Sequence, residues 1–168
     1  MPATSPSPLG GEDLETWAAL ATVLEWLPAA LDAQLLEDAG MTHFEYGILF
    51  ALANAPDRTL RMSVLAGYAN SSLTRLSRAA ARLGTRGWLR RSPDPSDGRF
   101  TLAVLTDRGL AQFEHASPGH VRTVHRLVLD PLTRAQARQL REISRRIQRA
   151  IRDGEEGWRP PATITAAG

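Results

Sequence analysis

The chain has 168 residues, enough for one domain with a substantial core, and its 43% hydrophobic content is ordinary for a globular protein. It contains no cysteine, which excludes disulfides, thiolate metal sites and cysteine-based redox sensing. The net charge of +2 hides an uneven layout: residues 1–57 hold nine carboxylates and no Arg, residues 58–108 ten Arg against three Asp, and residues 109–168 ten Arg against six acids.

Residues 1–11, rich in Pro, Ser and Gly, are predicted to be a disordered lead, and residues 154–168, with Pro160-Pro161, a flexible tail. Between them the pattern predicts six helices and one hairpin in a single domain over 12–153. The first helix spans Asp13 to Asp38, with Leu14, Trp17, Leu20, Leu24, Leu27, Leu31 and Leu35 at three- and four-residue spacing. Pro28 lies inside it and is expected to kink it; Gly40 is its stop signal. Thr42-His43-Phe44-Glu45 is a capping box opening a second helix that ends near Asn54-Ala55-Pro56. A short third helix over Leu60–Tyr68 meets a turn at Asn70-Ser71-Ser72, and a fourth runs from Leu73 to Arg86.

In that fourth helix Leu73, Leu76, Ala80 and Leu83 share one face, which is expected to pack on Leu65 and Ala66 of the third. Ser71 or Ser72 is the expected N-cap. The outward face near the N-terminus carries Ser72, Thr74, Arg75 and Arg78. A helix enters the major groove of DNA with its first turns against base edges, and Arg bonds guanine bidentately. The alternative is a solvated helix face bearing ordinary surface arginines.

Gly87 ends the helix, Trp88-Leu89 starts a strand, and Pro93–Gly98 supplies turn chemistry before the return strand Arg99–Thr106. Arg99, beside Gly98 at the hairpin tip, has the reach to enter a minor groove. It also has the reach to pair with Asp97 or Asp94 and stiffen the turn. Asp107 opens a fifth helical segment that Ser117-Pro118-Gly119 is expected to break or bend before His120–Leu129. Asp130-Pro131 ends it, and Thr133-Arg134-Ala135-Gln136 is a second capping box. The last helix has the apolar stripe Ala137, Leu140, Ile143, Ile147 and Ile151, opposite Arg134, Arg138, Arg141, Arg145, Arg146, Arg149 and Arg152. These arginines and the acid-only first helix are complementary, so the two helices are expected to meet, within or between subunits, along an apolar seam flanked by ion pairs.

No uninterrupted apolar run approaches the ~20 residues that cross a bilayer, and the first residues lack the basic start and apolar core of a secretory signal. The expectation is a soluble cytoplasmic protein with no membrane partner. His115, His120 and His125 stand five apart, roughly 140° per step on a helix, so they do not share a face; no metal site is expected. No strained Gly-x-Ser-x-Gly turn, phosphate loop or paired-carboxylate arrangement is present, so no catalytic residues and no cofactor are assigned. Trp17, Trp26, His43, Phe44 and Tyr46 gather on the first two helices, either as plain core or as the wall of an effector pocket, for which Trp17, His43 and Tyr46 are the candidates.

Leu65-Ala66, Ser77 to Leu83, Gly87-Trp88-Leu89-Arg90-Arg91, and Asp94-Pro95-Ser96-Asp97-Gly98-Arg99 followed by Leu105-Thr106-Asp107-Arg108-Gly109 resemble the MarR family of bacterial winged helix-turn-helix regulators. The likeness covers roughly residues 13–152, and the Asp-x-Arg, five residues, Leu-Thr spacing is its most specific part. The resemblance implies a mainly α fold with a small β-hairpin wing, six helices and an intertwined two-fold homodimer. A DNA-binding lobe would span about 42–108, with dimerisation helices about 13–39 and 107–153. It implies a repressor of double-stranded, pseudo-palindromic operator DNA, contacting it through Ser71, Ser72, Thr74, Arg75, Arg78, Gly98 and Arg99, and released by a small aromatic or phenolic ligand. Two departures stand out: Gly84 replaces a usual Glu and is expected to loosen the end of the fourth helix, and Gly98 replaces a second wing Arg. The rival reading is a winged-helix protein-interaction module that does not touch DNA.

Overall fold

The computed structural model describes residues 8–151. Residues 1–7 and the tail over 154–168, with Arg152 of the last helix, lie outside the described residues. Within them the chain forms six helices and a three-stranded antiparallel sheet, the winged-helix architecture expected.

Helix α1 spans Gly11–Ala39, so Gly11, assigned to the lead, already belongs to it. It continues through Pro28 to Gly40, whose φ of 63° is the left-handed C-cap that a residue without Cβ adopts at no steric cost. Helix α2 spans His43–Ala53 and opens on the full capping box: the Thr42 hydroxyl accepts from the Glu45 amide, and the Glu45 carboxylate accepts from the Thr42 amide.

The third helix is shorter than its pattern suggested. Residues Thr59–Arg61 form strand β1, and helix α3 covers only Met62–Tyr68. Helix α4 spans Leu73–Thr85, and Ser72 is its cap, its hydroxyl accepting from the Arg75 amide at 3.2 Å. The helix passes through Gly84 without interruption. Strands β2 (Leu89–Asp94) and β3 (Asp97–Leu105) make the hairpin, with β3 in the centre of the order β1-β3-β2. Leu60 pairs with Ala103 and Arg91 with the same Ala103 from the other side. The wing is therefore anchored at its base to the segment preceding α3, a pairing across some forty residues that no local pattern reveals.

Helix α5 spans Asp107–Val124 and does not break at Ser117-Pro118-Gly119, contrary to expectation. Pro118 removes one helical donor without ending the helix, and beside it the Ser117 hydroxyl bonds back to the Phe113 carbonyl. Gly119 serves helix packing: a Cβ there would lie 2.7 Å from Asp38 Oδ2 on α1. A single wide turn, His125–Leu129, follows, then helix α6, Arg134–Ile151, opened by the Thr133–Gln136 box.

The core joins α2, α3, α4, the sheet and the adjoining ends of α1 and α5. Leu49, Leu52, Leu65, Leu76 and Leu83 are wholly buried there. Leu73, expected on the packed face of α4, is instead exposed, and Ala79 takes a place in the core. Outside this core the long helices are bare. Of α1 only Leu31 and Leu35 are buried, and α6 buries nothing. By length and composition α1 is apolar enough to cross a membrane, which the absence of an unbroken apolar run had concealed. The α1 and α6 surfaces do not bury each other within the subunit.

Candidate functional site

The first turns of α4 and the wing form one face. Ser72 and Thr74 are exposed, Ser71 half-exposed with its hydroxyl on the Ser72 carbonyl, and Arg78 is exposed. Arg75 is exposed too, but its guanidinium carbon lies over the Phe44 ring of α2, 4.4 Å from the centroid. Arg75 and Arg78 share a polar cleft of about 370 Å³ with Asp32, Thr42, Phe44 and Arg82. Not every arginine of α4 belongs to this face. Arg82 donates to the buried Glu45 carboxylate at 2.9 Å, tying α4 to the cap of α2. Arg86 bonds the Gly40 carbonyl and covers the Trp88 ring, holding α1 and α4 together. Those two are structural.

In the wing Arg99 grips Asp97 through Nε and Nη2, the latter at 2.7 Å, while its own amide donates to the same carboxylate. The stiffening role therefore holds, and the pair stays at the surface, with the Arg99 side chain 86% exposed. Bonding to Arg99 lowers the Asp97 pKa. Arg61, not singled out from the sequence, braces the same tip: it donates to Asp94 at 2.7 Å and stacks on Phe100. The Ser96 hydroxyl and amide, with Arg61, hold the Asp94 carboxyl down at about 2. Gly98 is exposed at the start of β3. Between α4 and the wing lies a second cleft of about 210 Å³, where outward Leu73 and Ser77 face Arg91 and Arg99. Arg91 and Arg61 went unassigned because their place beside the recognition face follows from strand pairing.

Behind this face is an apolar cavity of about 710 Å³ between α2, α3, α5 and the turn after it. Of the three candidates, His43 and Tyr46 line it; Trp17 does not, being half-exposed out on α1. Trp17 stands apart from this cavity because α1 places it more than five turns from the α2 junction, a separation that composition conceals. Its missing wall is supplied by α5. His120 stacks on Tyr46 at 4.3 Å and on His43 at 5.4 Å, and Phe113 flanks Tyr46 at 5.4 Å. The Tyr46 hydroxyl meets the Ser117 hydroxyl at 3.2 Å. His120 is nine-tenths buried, and its Nδ1 has no hydrogen-bond partner. Burial, and then the neighbouring His43, pushes the His120 imidazole down to about 4; burial also lowers His43, partly offset by Asp32. Both rings are thus neutral at pH 7. No Arg or carboxylate lines the cavity. Among the described residues no group of three His, Asp or Glu could hold a metal ion.

Comparison with known proteins now decides the family. A MarR family model matches residues 39–99, from the end of α1 to Arg99 of the wing. The solved structure of Sco3205, a MarR family transcriptional regulator of Streptomyces coelicolor in complex with DNA, is 42% identical, with a TM-score of 0.83 over 86% of this chain and 94% of that one. The chain belongs to the MarR family. AbsC, a second MarR family regulator from Streptomyces coelicolor, is 29% identical, with a TM-score of 0.83 over 88% of this chain and 99% of that one. No curated protein sequence matches the chain. As a MarR family transcriptional regulator it is a member of a non-enzymatic family, and the winged-helix face is the part that the family model spans.

Proposed function

We propose that the protein is a homodimeric, sequence-specific repressor of double-stranded DNA, acting in the cytoplasm, with α4 in the major groove and the wing on the minor groove. The exposed face of Ser72, Thr74, Arg75 and Arg78, capped at its helix N-terminus, carries the reading; the likeness to Sco3205, solved with DNA, supports it. Arg75 and Arg78 read base edges, Ser71, Ser72 and Thr74 take phosphates, and Arg99, with Gly98 allowing close approach, enters the minor groove. Two copies join through the bare faces of α1 and α6, where Leu20, Val23, Leu24, Leu140, Ile143 and Ile147 are exposed. Such a seam also accounts for the apolar length of α1 without a membrane.

The cavity behind α2 would take the releasing ligand. Its walls are mainly aromatic and aliphatic, its polar side chains are His43, His120, His125, Tyr46 and Tyr68, the first two held neutral by burial, and among the described residues no Arg or carboxylate lines it. That lining fits an aromatic or phenolic molecule in uncharged form better than a carboxylate.

Gel shifts against the gene's own upstream region at two salt concentrations test the DNA reading. Retention that falls steeply with salt is expected, and Arg75→Ala should cost about 1–3 kcal/mol on the cognate site while relaxing preference at one base pair. Equal losses on cognate and random DNA would refute Arg75 as a base reader.

A further inference from the structure

We propose that Phe44 is the positioning residue for Arg75, its ring holding the guanidinium ready for a base edge and forming the wall shared with the apolar cavity. The inference rests on the reading of α4 as the DNA-reading helix and adds to it a residue that does not itself belong to that helix. Phe44 sits at the second position of α2, half-buried, with its ring fixed by the capped turn. Arg75, three residues past the cap of α4, reaches across and stacks on it at 4.4 Å.

The geometry matters because a guanidinium has two kinds of surface. Its faces are apolar and stack on rings; its edge carries five N–H donors in a fixed fork. The contact with Phe44, Cζ 4.4 Å over the ring centre, holds the guanidinium without a carboxylate taking up its N–H donors. Among the described residues no carboxylate forms an ion pair with Arg75, whereas Arg82, Arg61 and Arg99 are each held by one. Arg75 is thus oriented without being neutralised. A long side chain held before binding loses less rotamer freedom on meeting its base.

The second observation concerns the same ring. Among the described residues Phe44 alone lines both the arginine cleft and the apolar cavity. Arg75 covers it from the DNA side, and His43, Tyr46 and His120 flank the cavity side. A molecule in the cavity therefore touches the ring that orients the base-reading arginine, with no intervening element required.

A double-mutant cycle tests this. A duplex is first selected from a random-sequence pool by the full-length wild-type protein, and binding of Phe44→Leu, Phe44→Tyr, Arg75→Ala and Phe44→Leu/Arg75→Ala is measured on it. Phe44→Leu should weaken binding about three- to twenty-fold when Arg75 is present and less than about two-fold when it is absent, on the usual worth of such a stack. Phe44→Tyr, which keeps the ring, should stay within about two-fold of wild type. Phe44→Leu should also relax preference at the same base pair as Arg75→Ala, a readout that general loss of stability does not produce. Equal loss in both backgrounds, or Phe44→Tyr as weak as Phe44→Leu, overturns the role of Phe44. Failure to select any duplex overturns the DNA reading itself, and this inference with it.

Discussion

Leu49, Leu65, Leu76 and Leu83 in the winged-helix part have no exposed surface, whereas Leu24 of α1 is 57% exposed and Ile143 of α6 54%. The charges divide the same way. In the winged-helix part Arg82, Arg61 and Arg99 are paired with Glu45, Asp94 and Asp97; among the described residues of α6 the ion pair is the local Arg146–Glu142 contact, a turn apart on the same helix. One half of the chain completes its own core, and the other leaves its apolar stripe open. A helix with an apolar stripe and no neighbour to cover it is stable only when something buries that stripe. The comparison thus separates residues whose loss unfolds the subunit from residues whose loss separates two subunits.

The largest effect expected is at the open half. Leu24→Asp places a charge in the proposed seam and should convert a dimer to monomers by sedimentation, while circular dichroism keeps the helical signal of the winged-helix part. A dimer that survives Leu24→Asp would move the interface off α1. In the closed half, Leu83→Ala removes a wholly buried side chain from α4 and should cost about 2–5 kcal/mol in urea unfolding, with subunit association otherwise intact. A smaller loss would mean the core around α4 collapses to fill the gap.

The junction of the two halves should respond to pH. His120 binds its proton near pH 4 when folded and near 6.5 when unfolded, so the unfolded chain takes up protons first as pH falls. The contribution of His120 should therefore decline from about pH 6.5 to about 4, at about 1.4 kcal/mol for each pH unit at the steepest, and below that the depressed Asp94 and Asp97 carboxyls take over the decline. His43, lowered in the same direction, adds to the slope. Urea unfolding at pH 7 and 4.5 should show a much shallower change for His120→Gln than for wild type; equal slopes would place the linkage elsewhere.

How much of this was legible from residues alone depended on range. Caps are local chemistry: the Thr42 box, the Ser72 cap, the Gly40 stop and the Thr133 box are read within four residues, and each sits where the pattern put it. The Asp97–Arg99 grip is equally local. Strand β1 was missed because three residues carry no period, and only Val104, Ala103 and Leu102 opposite make them a strand. Of the break or bend expected at Ser117-Pro118-Gly119 there is no break, and Gly119 serves the approach of α5 to α1 instead.

The sequence by itself determined the order of the six helices and the hairpin, the polarity of the charge and the resemblance to a family, because periodicity, caps and turn residues act over a few positions. Tertiary structure alone decided which arginines remain free, since Arg82 and Arg86 became braces only when α2 and α1 came against α4. It also decided that the cavity is walled by His120 and Val121 of α5 rather than by Trp17. The physical reason is the same in both cases. A side chain's partner is set by which elements pack together, and a distance of seventy residues along the chain, as between Tyr46 and Ser117, leaves no trace in local pattern.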